Sequence, residues 1–99
     1  MTAGGPVTER HFQSAVEEAA RWYRWRVYHA YDARRSEPGW PDLAMVRGSR
    51  LVLAELKSAR GRVRPEQRAW LDALGQVVTV EAYLWREPAA WPEIKQVLR

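Results

Sequence analysis

Two carboxylates and one lysine have types and spacing that suit hydrolytic chemistry. Gly48-Ser49 separates two short apolar runs and predicts the two-residue turn of a β-hairpin. In that hairpin Asp42 faces Glu55, with Cβ atoms about 4.5–5.5 Å apart on one side of the sheet. Lys57 follows Glu55 by two residues, so its side chain projects from the same side.

The predicted Asp42–Glu55 pair requires a compensating charge. At about 5 Å and an effective dielectric constant near 20, two carboxylates repel each other by about 3 kcal/mol, which a proton or a cation would offset. Hard oxygen ligands without a neighbouring His favour Mg²⁺ or Mn²⁺ over zinc. Such an ion keeps positions for water and for a phosphate oxygen, so the pattern predicts metal-assisted phosphodiester hydrolysis. Lys57 would orient or deprotonate the attacking water, or stabilise charge on the phosphate.

A surface ion pair is the alternative explanation for Glu55 and Lys57, because Glu-x-Lys is a common sequence. The neighbouring residues argue against it. Residues 51–54 and Leu56 are apolar at both alternations, which predicts a strand buried on both faces. Charged side chains at the end of a buried strand are costly, so we interpret the pair as part of a functional site.

Two predicted helices contribute further polar candidates. Gln67 lies on the apolar stripe of its helix, where a buried amide needs a hydrogen bond. It would hold Lys57 or a water, contact the phosphate, or bond to the backbone. Glu9 lies about 60° from Phe12 around the first helix, inside the apolar arc, and is able to join the metal site. The alternative is that Glu9 only complements the helix dipole. Gln13 is one turn further along and would assist.

Arginines and aromatic residues surround these candidates. Five arginines in the loops on either side of the site are candidates for phosphate contact, with solvated charge as the alternative: Arg34, Arg35, Arg60, Arg62 and Arg64. His29 is interpreted as structural. Trp22, Tyr23 and Trp70 fall on apolar stripes and are predicted to be core. The tryptophans at positions 25, 40, 85 and 91 are candidates for a dimer surface or for stacking on unpaired bases.

Hydrophobic periodicity and turn signals predict the element order α-β-β-β-α-β-α. The first helix is capped by Thr8 and ends near Trp25, the second spans about 65–74, and the last starts at Pro88 or Ala89. The predicted strands are residues 26–31, 43–47, 51–57 and 76–85, and in the last of these Val78 shares a face with Val80, Ala82 and Leu84. Residues 1–7 are predicted to be a flexible tail, and residues 8–99 a single domain.

Composition excludes several functional classes. The 99 residues carry a formal charge of +4, and all but two of the 16 basic residues are arginine, which suits phosphate recognition or reflects codon bias. The absence of cysteine excludes a disulfide scaffold, a thiolate nucleophile and a cysteine zinc site. No apolar run approaches the ~20 residues of a membrane-spanning helix. The first residues do not predict a signal peptide, so we expect an intracellular protein.

Three motifs taken together resemble a known family. They are Gly39-Trp-Pro-Asp42, Ala54-Glu-Leu-Lys57 and Gly61-x-x-x-Pro-x-Gln67, and they resemble the VRR-NUC family of the PD-(D/E)xK nuclease superfamily. The small stand-alone proteins of bacteriophages and bacteria are the most similar members. Thr8-Glu-Arg-x-Phe-Gln, Tyr28-His and Tyr83-Leu-Trp-Arg match as well, so the likeness covers about residues 8–98.

The resemblance implies a PD-(D/E)xK restriction-endonuclease-like α/β fold, with a mixed sheet flanked by helices, and a Mg²⁺- or Mn²⁺-dependent endonuclease. It implies metal binding by Asp42, Glu55 and the backbone carbonyl of Leu56, with Glu9 as the acidic residue of the first helix, Lys57 as the catalytic lysine and Gln67 as the family glutamine. Stand-alone members are associated with branched DNA, including Holliday junctions, and act as dimers. We therefore expect a DNA-cleaving homodimer in the cytoplasm of a bacterial or phage-infected cell.

Two departures and two rival functions remain. Trp40 stands where the family more usually has Phe or a smaller apolar residue, and the stretch between Gly75 and Tyr83 is less familiar. The first rival is a catalytically silent nucleic-acid-binding module, or a nuclease subunit that needs a partner. The second is a structural protein whose hairpin carboxylates form a plain surface cluster.

Overall fold

The chain alternates helices and strands in the order that the sequence predicts. The computed structural model describes residues 8–30 and 37–99, so Arg34, Arg35 and the predicted tail lie outside the described residues. The helices are α1 (Glu9–Trp22), α2 (Pro65–Gly75) and α3 (Trp91–Leu98), and the strands are β1 (Arg26–His29), β2 (Leu43–Arg47), β3 (Arg50–Lys57) and β4 (Val80–Arg86). Within the described ranges, none of the helices has the length and apolar character needed to cross a membrane.

The four strands form one mixed sheet in the order β1-β2-β3-β4. The β1–β2 and β2–β3 pairs are antiparallel, and β3 and β4 are parallel. Leu43 pairs with Ala54 and Arg47 pairs with Arg50, which is the register that the hairpin turn predicts. Gly48 takes a φ of +60° in that turn, a conformation that residues with a Cβ seldom adopt. A mixed sheet flanked by helices confirms the predicted fold class.

Helix α1 lies against the sheet along a narrower stripe than the sequence predicts. The Thr8 side chain accepts a hydrogen bond from the backbone N–H of His11 at 3.1 Å, which caps the helix. The buried residues are Phe12, Val16 and Ala20, so the stripe is centred on Val16. Trp22, predicted to be core, is 80% exposed because it lies about 120° around the helix from that centre. That prediction is wrong.

Trp25 fills the core position that Trp22 does not. Helix α1 ends at Trp22 rather than near Trp25, because Arg24 takes a φ of +72° and turns the chain. Trp25 is buried, and its indole N–H donates to the carbonyl of Leu98 at 2.9 Å. The guanidinium groups of Arg47 and Arg50 lie 4.6 and 5.0 Å from the Trp25 ring centroid, so this ring joins the hairpin to the end of the chain.

Strand β4 and helix α3 begin later than predicted. The N–H of Val80 donates to the carbonyl of Val77 at 3.1 Å, so a turn occupies the start of the predicted strand. Val78 is 98% exposed in that turn and does not share the strand face predicted for it. Strand β4 starts at Val80, where it pairs with Leu51 of β3. The N–H of Trp91 donates to the carbonyl of Pro88, and α3 begins after that turn.

The core joins α1 and α3 to one face of the sheet. Trp85, Leu56, Ile94 and Leu98 are fully buried, together with the α1 stripe and with Leu43, Met45, Val52 and Ala54 of the central strands. Burial on both faces of β3 confirms the interpretation of its uninterrupted apolar run. Helix α2 packs against β4.

The segment that enters β2 is fixed against the first turn of α2. Gly39 takes a φ of +90°, and a Cβ at this position would lie 2.4 Å from the carbonyl oxygen of Glu66 and 2.9 Å from the backbone nitrogen of Gln67. Trp40 packs edge-on against Trp70 of α2, with ring centroids 5.0 Å apart. The N-terminus of α2 is therefore held beside the start of β2.

Replacing Gly39 with alanine is expected to destabilise the protein more than the same change at Gly48. Both residues have positive φ, which costs about 1–2 kcal/mol for alanine. At Gly39 the added Cβ would also clash with backbone atoms of α2, whereas at Gly48 no atom of the described residues lies within 4 Å of it. Overpacking adds about 1–3 kcal/mol, so urea unfolding should show Gly39→Ala losing about 2 kcal/mol more than Gly48→Ala. Equal losses would contradict the packing argument.

Candidate active site

The hairpin brings Asp42 and Glu55 to the same end of the sheet. Asp42 immediately precedes Leu43, which pairs with Ala54, so Asp42 lies opposite Glu55 as predicted. One carboxylate oxygen of Asp42 accepts a hydrogen bond from the backbone N–H of Leu56 at 2.8 Å. This bond fixes the Asp42 carboxylate across the end of β3.

Glu55 is a buried carboxylate with one oxygen satisfied and one not. Glu55 is only 1% exposed to solvent. Oε2 accepts from the side-chain nitrogen of Gln67 at 2.7 Å and lies 3.4 Å from Nζ of Lys57. Oε1 is buried, and no group of residues 8–30 and 37–99 donates a hydrogen bond to it. A buried acceptor without a donor is costly, and a cation at this oxygen would remove the cost.

Burial and mutual repulsion change the acidity of this pair. Burial, followed by the charge of Asp42, raises the pKa of Glu55 to about 7, and the charge of Lys57 opposes this shift. Burial also raises the pKa of Asp42, against the hydrogen bond from the Leu56 N–H. The pair therefore retains a proton more readily than ordinary carboxylates do, and a bound divalent cation would displace it.

Gln67 joins helix α2 to the buried carboxylate. Its amide nitrogen donates to Glu55, and its amide oxygen accepts from the backbone N–H of Arg64 at 2.8 Å. The second bond satisfies a free donor at the helix N-terminus. The sequence analysis proposed several hydrogen-bond partners for Gln67, and of these the structure shows the backbone. Glu55 is an additional partner of Gln67, which the helix periodicity did not indicate.

Lys57 is the last residue of β3, and a packed loop holds its aliphatic stem. It is 7% exposed, and its Cδ would lie 3.3 Å from a Cβ built on Gly61. Arg86 donates to the carbonyls of Ser58 and Gly61 at 3.0 and 2.6 Å. Arg86 was not among the predicted site residues, since only the parallel β3–β4 pairing brings it beside Lys57.

Glu9 lies at the start of α1 within electrostatic reach of the pair. Burial raises the pKa of Glu9, Lys57 lowers it, and Asp42 raises it. Among residues 8–30 and 37–99, however, no three His, Cys, Asp or Glu side chains are grouped closely enough to hold a metal ion. Asp42 and Glu55 are thus a pair of carboxylates, and metal ligation by Asp42, Glu55 and Glu9 remains a prediction.

Gln13 and His29 belong to a neighbouring cluster on Glu17. Gln13 donates to Oε2 of Glu17 at 3.0 Å, and Nδ1 of His29 lies 3.9 Å from the same oxygen. His29 also lines the cleft that contains Asp42. Gln13 is therefore engaged by Glu17 in this structure, and its predicted contact with DNA is untested.

An open cleft of about 380 Å³ reaches Asp42, while Glu55 lies buried behind it. Trp40, Asp42, Arg64 and Gln67 contribute to its walls. Arg60, Arg62 and Arg64 are exposed on the loop between Lys57 and α2, and Arg64 lies 3.6 Å from Glu66. A basic rim beside a buried acidic pair suits a negatively charged substrate.

Comparisons with known proteins bear on the family and the fold. The sequence profile of the VRR-NUC domain matches residues 6–83. A solved structure titled "VRR_NUC domain protein" superimposes with a TM-score of 0.68 at 19% identity, covering 95% of this chain and 89% of the other. No curated protein matches. At this identity the superposition supports the fold, and the sequence profile supports the family.

Metal-free protein is expected to lose stability as the pH rises, because of Glu55. A carboxylate whose folded pKa is raised from 4.5 to about 7 stabilises the folded state below pH 4.5. That contribution disappears as the pH rises through 7. Urea unfolding in EDTA should show wild type losing about 2 kcal/mol relative to Glu55→Gln between pH 5 and 8. Glu66→Gln, an exposed substitution, is the control, and parallel pH profiles for wild type and Glu55→Gln would contradict the assignment.

Proposed function

The chain belongs to the VRR-NUC family and is a nuclease-type domain, and on that premise we propose that it is a Mg²⁺- or Mn²⁺-dependent endonuclease acting on DNA. The observation that carries the proposal is the buried Glu55 carboxylate. It faces Asp42, lies 3.4 Å from Lys57, and has one oxygen to which none of the described residues donates a hydrogen bond. Nuclease domains of this family generally use divalent metals and act on DNA.

The residues present fit a hard divalent cation. Asp42 and the free oxygen of Glu55 would hold it. The carbonyl of Leu56 would join them, because in an extended strand it points to the same side as the N–H that donates to Asp42. When bound, such an ion polarises a phosphate oxygen and lowers the pKa of a water. Glu9 would support this site through the charge that it places near Asp42 and Lys57.

The chain's own side chains perform the remaining tasks. Gln67 holds Glu55 in a single orientation, which keeps the other oxygen directed away from the donors. The aliphatic part of the Lys57 side chain packs beside Gly61. Its amine would orient or deprotonate the attacking water, or neutralise charge on the phosphate. Arg86 fixes the loop that follows Lys57 by donating hydrogen bonds to the carbonyls of Ser58 and Gly61.

The charge of the loop arginines supports a proposal for the substrate, and the size of the chain supports one for its assembly. The loop arginines, Arg60, Arg62 and Arg64, would bind phosphates on both sides of the cut, with Arg34, Arg35 and Gln13 as further candidates. We propose selectivity for branched DNA such as Holliday junctions, and a homodimer, since a 99-residue monomer offers little surface to grip a four-way junction. We also propose that the protein acts in the cytoplasm of a bacterial or phage-infected cell.

Lys57→Ala and Asp42→Asn are expected to lower the rate of DNA cleavage by at least about 100-fold, the usual effect of removing a positioned catalytic group. The assay is a Mg²⁺ or Mn²⁺ cleavage panel of duplex, flap, fork, four-way junction and single strand. Lys95→Ala, which removes the other lysine from the exposed side of α3, is the matched control. Wild-type rates for both variants would show that the site is wrong. Salt-dependent binding by wild type without any cleavage would favour the silent binding module.

Divalent cations are expected to raise the melting temperature of wild type and not that of Asp42→Asn or Glu55→Gln, because binding to the folded state alone stabilises it. The shift should increase from pH 6 to pH 8 as the cation competes with fewer protons at Glu55. Equal shifts in wild type and both variants would place cation binding elsewhere.

A further inference from the structure

One half of a sheet face is left uncovered by the described helices. Helix α2 packs against β4, while α1 packs against β1 and β3. Val27 of β1 packs on the core that includes α1, so the next residue, Tyr28, projects from the opposite face. Tyr28 is 64% exposed. Within residues 8–30 and 37–99, no helix covers the β1–β2 part of that face, which we call the open face.

This open face leads directly to the proposed site. Tyr28 pairs with Ala44 and Arg26 with Val46, and Asp42, Ala44 and Val46 alternate along the chain toward the same side. The N–H of Ala30 donates to the carbonyl of Asp42 at 3.2 Å, so the β1–β2 pairing extends to the site. Tyr28 is thus a diagonal neighbour of Asp42, about 7–8 Å away.

The chemistry of the open face suits a nucleic-acid strand. Tyr28 and Val46 present apolar surface, and Arg26 beside them is exposed. Within residues 8–30 and 37–99, the Tyr28 ring packs against no other aromatic ring. An exposed aromatic face next to a cation is the combination that stacks bases and holds phosphates in single-strand binding proteins.

We propose that Tyr28 is a stacking platform for an unpaired base close to the scissile phosphate, with Arg26 binding the backbone beyond it. The inference rests on the proposed function and names a substrate-binding surface of that site. In a duplex both faces of a base are covered by its neighbours, so only an unpaired nucleotide is able to stack. At about 7–8 Å from Asp42, Tyr28 is close enough to meet a base near the cut.

A second copy of the chain is the other possible occupant, since β1 is a sheet edge. Nucleic acid is the favoured occupant for two reasons. The open face is continuous with the Asp42–Glu55 site, and it carries the exposed cation of Arg26.

Fluorescence of 2-aminopurine tests the proposal without cleavage. Single-stranded and forked oligonucleotides with the analogue at an unpaired position are titrated in EDTA against wild type, Tyr28→Ala, Tyr28→Phe and Trp22→Ala. Stacking on Tyr28 should quench the analogue in wild type and Tyr28→Phe, and quenching should be lost in Tyr28→Ala. Affinity of Tyr28→Ala for the single strand should fall about 5- to 100-fold, with blunt duplex affinity unchanged. Trp22→Ala removes an aromatic residue of α1 that is more exposed than Tyr28, and this variant should match wild type.

Each other outcome overturns the inference. No quenching by wild type, or equal quenching by Tyr28→Ala, would show that the ring does not stack. A change from dimer to monomer in sedimentation of Tyr28→Ala, with quenching retained, would assign the face to a second copy. Cleavage by Lys57→Ala at the wild-type rate would reject the proposed nuclease site while leaving the quenching result intact, so the two failures are distinguishable.

Discussion

Burial of the Glu55 carboxylate opposite Asp42 is the constraint on which the rest of the structure depends. Two acidic groups at the end of a buried strand repel each other and lose hydration. The surrounding donors offset only part of that cost, since the Leu56 N–H serves Asp42 while Gln67 and Lys57 both serve one oxygen of Glu55. The other oxygen has no donor among the described residues. The site is therefore complementary to a positive charge in addition to that of Lys57.

Contacts between elements that are distant in sequence position the groups around the carboxylate pair. Gly39 lets the segment before β2 contact the first turn of α2, which places Gln67 on Glu55. Arg86, at the end of β4, fixes the loop after Lys57 through backbone carbonyls. The strand, helix and loop that surround the carboxylates are each positioned by a contact with a separate element, so the geometry of the pair depends on the whole fold.

Local chemistry in the sequence predicts the hairpin and the acidic pair well, because a two-residue turn sets the register of both strands. The helix starts at Thr8 and Pro65 carry equally local signals. The errors concern tertiary placement. Trp22 lies on an apolar stripe by spacing, yet the stripe is centred on Val16 and excludes it. The role of Arg86 requires the parallel pairing of β3 with β4, which no local pattern contains.

The distribution of charge clarifies why lysine is rare in this chain. Arginines occupy exposed positions beside the cleft, where a permanently charged planar group suits phosphate contact. At the buried position beside Glu55 the chain has Lys57, one of its two lysines. A neutral lysine is able to accept a proton from water, whereas an arginine stays protonated. Codon bias would explain the number of arginines but not the lysine at this position, where the proposed mechanism places a base beside the attacking water.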